Sequence, residues 1–292
     1  MADFVIFLVG NPSSLPRVPS APQAAVLRRL ISLWSWASML LVGVIWVPTM
    51  ALLYAVTVRR DPGRYAVGWW FRRAAVTVVK LNPLWRFRTE GVRITDPRRP
   101  YVAVANHESI ADIFLISLLP WEMKWLARRT AFNIPLMGWM MRMAGDVGVE
   151  RGSTRSRGRA LEQCRDRLER GVSILIMPEG TRTLDGRLGP FQDGAFRLAV
   201  ELKCPVLPIA VAGANHALAK GSWVMNPARA VARVLPPVET DGLTLADVPA
   251  LRDRVRAMID SARDELLHEL GPQNGRVTLP APRGVAEAET HG

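Results

Sequence analysis

Between residues 30 and 56 the chain runs 27 positions without a charge, and from residue 87 onward short apolar runs alternate with stretches of helical periodicity. The first pattern is long and apolar enough for lipid contact, and Trp34, Trp36, Trp46 and Tyr54 are the amphipathic aromatics expected near headgroups. Arg28 and Arg29 precede it and Arg59, Arg60 and Arg64 follow it, so the positive-inside bias gives no direction for a simple crossing. A segment that enters one leaflet and returns, or lies in the interface, fits this symmetry better than a single span. Pro48 is a candidate kink, and residues 65–79 read as a second, amphipathic helix at the interface.

The second pattern predicts an α/β domain, a mainly parallel sheet flanked by helices. Seven strands are expected at 87–94, 101–105, 125–128, 147–150, 173–177, 206–211 and 230–235. Helices are expected at 110–118, 135–144, 155–170, 193–202 and 247–270. The Pro-rich start (Pro12, Pro16, Pro19, Pro22) lacks the basic beginning and small-residue cleavage site of a signal peptide, and reads as a loose leader over 1–26. A Pro/Gly-rich tail, 271–292, is expected to be disordered.

Composition adds less. The formal charge of +12 favours an anionic partner without choosing among phospholipid, phosphorylated substrate, acidic carrier and nucleic acid. The arginines are scattered and no nucleic-acid module is visible, so nucleic acid is not expected. Two distant cysteines, Cys164 and Cys204, suggest neither a disulfide framework nor a zinc site.

Three segments carry candidate chemistry. Asn106-His107-Glu108-Ser109-Ile110-Ala111-Asp112 places a histidine directly after a strand, where ligand sites of open α/β sheets lie. On a continuous helix a residue and its fifth successor are about 140° apart, so His107 and Asp112 meet only if His107 sits on a non-helical edge. Asp112 would then hold His107 in the tautomer that accepts a proton, the logic of an oriented general base. Asn215-His216 is an internal control, with Lys220 at the fifth position instead of an acid. In Pro178-Glu179-Gly180-Thr181-Arg182, Gly180 permits a tight turn while Thr181 and Arg182 offer a hydroxyl and a guanidinium to a phosphate. Glu179 beside an anion needs a cation, and Arg182 or Arg151 is expected to supply it. Arg151 ends the third segment, Gly145-Asp146-Val147-Gly148-Val149-Glu150-Arg151. Each segment alone is also readable as structure: a buried His–Asp pair, a turn, a surface arginine.

In order and spacing the segments resemble the glycerophospholipid acyltransferase family that includes the 1-acylglycerol-3-phosphate acyltransferases. N-H-x-x-x-x-D at 106–112 resembles its catalytic motif and 178–182 its phosphate motif; 191–195 and 206–211 are similar to later blocks. The departures are Gly148 and Glu150 in 145–151 where the family's G-x-x-F-I-D-R has the aromatic and its Asp, Gln192 for a common Lys after Phe191, and Arg128 for a common Lys. The resemblance implies acyl transfer from acyl carrier protein or coenzyme A to the hydroxyl of a lysophospholipid, without metal or cofactor. It also implies a seven-stranded domain with an N-terminal membrane-associated helical pair. The expected layout is then a membrane segment at 27–85 and an acyltransferase domain at 86–270, at the cytoplasmic face of a cell membrane, the inner membrane for a bacterium. Glycerol 3-phosphate or another lysolipid is the rival acceptor, and a non-catalytic basic membrane or nucleic-acid-binding protein the rival of another class. A serine hydrolase is disfavoured because no G-x-S-x-G elbow is present.

Overall fold

A computed structural model describes residues 21–150, 152–180, 188–218 and 222–272. The apolar start forms α1 (Ala21–Thr57), which continues through Pro48, and α2 (Tyr65–Leu81). Helix α1 begins inside the span expected to be loose, because Pro22 falls in its first turn, where a missing N–H costs nothing. The expected disordered tail lies outside the described residues beyond 272.

Seven strands follow: β1 (Trp85–Gly91), β2 (Val102–Ala105), β3 (Met123–Arg128), β4 (Val147–Val149), β5 (Ser173–Ile176), β6 (Val206–Ala212) and β7 (Ala228–Val234). They form one sheet in the order β1-β7-β6-β2-β5-β3-β4. Only β6 and β7 pair antiparallel, so β1 and β7 run against the other five. The helices are α3 (Asp112–Ile116), α4 (Met137–Ala144), α5 (Thr154–Glu169), α6 (Gly194–Glu201) and α7 (Val248–Leu270). Both faces of the sheet are covered, which is why its strands read as continuous apolar runs. Val102 and Val104 of β2 pack with α5, α6 and α7, whereas Ala103 and Ala105 pack with α2 and α3. The period of two thus assigns alternate residues of one strand to two cores.

The connections after the neighbouring strands β2 and β5 leave toward opposite faces, β2 into α3 and β5 into α6. A divergence of that kind opens a crevice beyond the strand ends.

Helix α1 is built inside out. Ser32, Ser35, Ser38, Val42, Met50 and the partly buried Trp46 form a stripe against the rest of the protein, while Leu30, Leu33, Leu40, Leu41, Val44, Leu52 and Val56 point outward. The serines bond back to carbonyls one turn earlier, Ser32 to Arg28, Ser35 to Ile31 and Ser38 to Trp34, and their small size admits close packing. The stripe is engaged at both ends: Ser32 Oγ accepts from the Met225 amide, and Trp46 stacks on Trp70 at 5.2 Å.

Helix α2 lies between α1 and the sheet and is held by a buried charged group. Arg72 donates to Asp146 at 2.5 Å and to the Met123 carbonyl at 3.1 Å, and its Nε lies 3.4 Å from Glu122. Lys124 donates to Glu122 and to the Arg64 carbonyl, both at 2.8 Å. Burial pushes the Glu122 carboxyl up and the Lys124 ammonium down from their usual ranges, and their pairing opposes both shifts. Gly68 is required there, since a Cβ would overlap Glu122 Oε1 and Lys124 Nζ. Arg72, on the amphipathic helix expected over residues 65–79, is buried because its partners are Glu122 just before β3, Met123 at its start and Asp146 just before β4.

Candidate active site

Strand β2 ends at Ala105, and Asn106 extends its pairing by side chain. The buried amide donates to the Val211 carbonyl at 2.9 Å and accepts from the Val211 N–H at 2.7 Å. The chain is thereby released at His107 while still anchored to β6. Residues 106–109 are not helical and α3 starts at Asp112, which satisfies the condition for His107 and Asp112 to meet.

They meet at 2.7 Å, Nδ1 to Oδ2. The same oxygen accepts the N–H groups of Glu108 at 2.8 Å and Ser109 at 2.9 Å. Oδ2 accepts the two amides and so accepts from the ring as well: Nδ1 carries a proton, and in the neutral tautomer Nε2 holds the lone pair. Nε2 has no hydrogen-bond partner among the described residues, and the His107 side chain keeps 21% of its surface exposed while Asp112 keeps none. The imidazole is thus oriented from behind and open in front, the geometry a general base requires. His216 is half-buried with its pKa pushed down by burial, and no carboxylate partners it among the described residues.

Glu179, in the turn after β5, braces the same loop. Its Oε1 accepts the His107 N–H at 2.8 Å and its Oε2 the Gly189 N–H at 2.9 Å. Each oxygen accepts one backbone amide, so Glu179 joins the loops after β2 and β5; Arg182 and Arg151, which it was expected to orient, lie outside the described residues. Burial raises its pKa, and the two amides oppose that rise. Gly180 adopts φ +67°, a left-handed conformation suited to glycine, and its N–H closes a turn onto the Met177 carbonyl at 3.2 Å. Thr181, Arg182 and Arg151 lie outside the described residues. Ser109 is 2% exposed and its Oγ accepts from the Ala111 amide, so it is poorly placed to carry an acyl group.

Glu108 was not anticipated as a functional position. Its carboxyl is buried, accepts from Arg263 Nε at 2.9 Å, and is pushed up to about 7 by burial against the opposing pull of Arg263. The one clue in the sequence was an arginine inside the apolar stripe of α7, between Ile259 and Leu266.

The fold and the dyad define an α/β protein class with a histidine–aspartate pair at the strand ends. An acyltransferase family model matches residues 86–212, which contain every strand except β1's first residue and β7. The 1-acyl-sn-glycerol-3-phosphate acyltransferase alpha of Ovis aries is 32% identical over 83% of this chain and 84% of its own length. A chloroplastic 1-acyl-sn-glycerol-3-phosphate acyltransferase of Brassica napus is 35% identical over 49% of this chain; the match spans 42% of that relative's length. The crystal structure of the 1-acyl-sn-glycerophosphate (LPA) acyltransferase of Thermotoga maritima superposes with a TM-score of 0.69 at 25% identity, covering 83% of this chain and 97% of that one. The chain belongs to the acyltransferase family, in its 1-acyl-sn-glycerol-3-phosphate acyltransferase branch.

Proposed function

We propose that this protein transfers a fatty acyl group from a thioester, on acyl carrier protein or coenzyme A, to the free hydroxyl of 1-acyl-sn-glycerol 3-phosphate, giving phosphatidate. The observation that carries the reading is the His107–Asp112 pair, with Nε2 open at the carboxyl end of β2. Nε2 takes the hydroxyl proton as the oxygen attacks the thioester carbonyl carbon. The tetrahedral intermediate collapses, the C–S bond breaks, and the leaving thiolate receives the proton from His107. Asp112 holds the imidazolium throughout. A thioester is already activated, so no enzyme nucleophile is needed, in keeping with the buried Ser109. Arg151, Thr181 and Arg182 are proposed, on their sequence motif, to hold the acceptor phosphate.

The reaction is proposed to occur at a phospholipid surface, on its cytoplasmic side. Support comes from α1, whose 25–57 portion is long and apolar enough to cross a bilayer, yet contacts the protein along its length. From Ser32 to Thr57 that contact runs about 38 Å, too long for a perpendicular crossing that leaves the domain in water. The helix therefore lies along the membrane with its leucine face in lipid.

The test is acyl transfer by purified wild type and His107→Ala, offered lysophosphatidate, glycerol 3-phosphate and a zwitterionic lysolipid. Wild type should make phosphatidate, and the variant should be slower by about 10²–10⁴-fold with membrane binding intact. Preference for another acceptor would overturn the substrate assignment, and no transfer to any of them by folded protein would overturn the enzymatic reading.

A further inference from the structure

Helix α7 reaches the catalytic loop by two routes, although it lies outside the matched block 86–212. Arg263 donates to Glu108 at 2.9 Å, and both side chains are nearly buried, 9% and 6% exposed. Glu108 follows His107 directly, and its own N–H bonds to Asp112. Two turns earlier Arg256 donates to the carbonyls of Leu188 at 2.7 Å and Gly189 at 3.1 Å. The Gly189 N–H in turn bonds Glu179, which accepts the His107 N–H. Seven residues return a helix to nearly the same face about 10.5 Å along, so both arginines address the crevice side of α7.

We propose that Arg263 is a positioning residue for His107: its buried ion pair with Glu108 fixes the loop that presents the base. This rests on the proposed acyl transfer and names a part of its machinery that the sequence motifs do not contain. The physical reason is local. Residues 106–109 have no helix or strand to set their dihedral angles, so His107 is placed by its braces alone. Asn106 fixes the loop before it, Asp112 and Glu179 fix its ring and amide, and Glu108 is the remaining side chain beside it. Without Arg263 a buried carboxylate loses its counter-charge, and it must either take up a proton or turn toward water. Burial already holds this carboxyl near 7 with the arginine in place. Either response shifts the Glu108 backbone, whose N–H is shared with the oxygen that holds the imidazole.

Misplacement of a catalytic group by about 1 Å costs on the order of 100-fold in rate, so Arg263→Met should lower kcat by about 10–100-fold, with both KM values within about twofold. Methionine retains the buried stem and removes the guanidinium, which separates charge from packing. Arg263→Lys should recover to within about fivefold of wild type. Glu108→Gln should lower kcat by about tenfold, and the double variant Glu108→Gln/Arg263→Met should be no slower than Arg263→Met alone, because the two residues act as a unit. All rates are taken per folded enzyme, with the urea midpoint measured for each variant. A purely structural staple would lower the midpoint and leave kcat per folded molecule unchanged, and that result would overturn the inference. So would a loss confined to KM, or a double variant as slow as the product of the singles. If Arg263→Met does not fold, Glu108→Gln decides alone, and a wild-type kcat there overturns the proposal. Absence of transfer by wild type would instead sink the proposed function, and this inference with it.

Discussion

Asp112→Asn keeps the volume of the side chain and removes its charge, which makes it the sharpest probe of the dyad. One oxygen of Asp112 serves three donors, His107 Nδ1 at 2.7 Å and the amides of Glu108 and Ser109 at 2.8 and 2.9 Å. Hydrogen bonds to a charged group contribute roughly 1.5–3 kcal/mol, against about 0.5–1.5 kcal/mol for neutral pairs. Weakening the two backbone bonds by about 1 kcal/mol each predicts a stability loss of about 2 kcal/mol. The third bond is charged to catalysis, since the imidazolium formed when Nε2 takes the proton has lost its carboxylate. An asparagine N–H turned toward Nδ1 would also select the tautomer with hydrogen on Nε2, which cannot accept. We therefore expect kcat to fall by about 10²–10⁴-fold, with KM for donor and acceptor within about twofold. The assay is release of free thiol from an acyl-coenzyme A in the presence of lysophosphatidate, with urea unfolding run on the same preparations. A kcat within about tenfold of wild type, on protein shown to be folded, would refute the dyad as the catalytic base.

Three further outcomes follow from the same geometry. Lys124→Met leaves Glu122 buried beside Arg72 with one counter-charge missing, and should destabilise the protein by about 3–5 kcal/mol in urea unfolding; a loss under about 1 kcal/mol would mean the cluster is not a structural anchor. Leu40→Asp/Leu41→Asp replaces side chains that are 61% and 60% exposed, so the fold should survive. Each leucine immersed in lipid contributes about 1.5–3 kcal/mol, so partition onto vesicles should fall by at least about 100-fold, and unchanged flotation would refute the proposed membrane face. For Glu108 the folded pKa, about 7, exceeds the ordinary value of 4.5, so its ionisation opposes folding. Its contribution is therefore most favourable below pH 4.5 and is lost as pH rises toward 7. Relative to Glu108→Gln, wild type should lose about 3 kcal/mol of unfolding free energy across that window, and a pH-independent difference would refute the shifted carboxyl.

What the sequence makes legible here is local, and what it hides is held by partners distant in the chain. Strands such as β2 and β5 are readable because both faces of the sheet are covered, so short apolar runs stand out between polar turns. His107 and Asp112 are readable because the acid lies five residues from the base and the loop needs only to be non-helical. The direction of β7 is not readable, since alternation is the same in parallel and antiparallel strands. The bracing role of Glu179 is not readable either, because the amides its oxygens accept belong to His107, 72 residues earlier, and to Gly189, ten residues later.

Arg72 reads as the polar side of an amphipathic helix until Asp146, 74 residues later, is seen to neutralise it. Arg263 likewise looks like a flaw in an apolar stripe until Glu108, 155 residues earlier, supplies its charge. Both cases obey one rule: a charge on an otherwise apolar face costs too much to be left alone in a core, so it predicts a buried opposite charge elsewhere in the chain. Periodicity can therefore flag such a residue, but only the tertiary fold can name its partner. In this protein the partner of one such arginine joins α2 to the sheet, and the partner of the other stands beside His107, the proposed base.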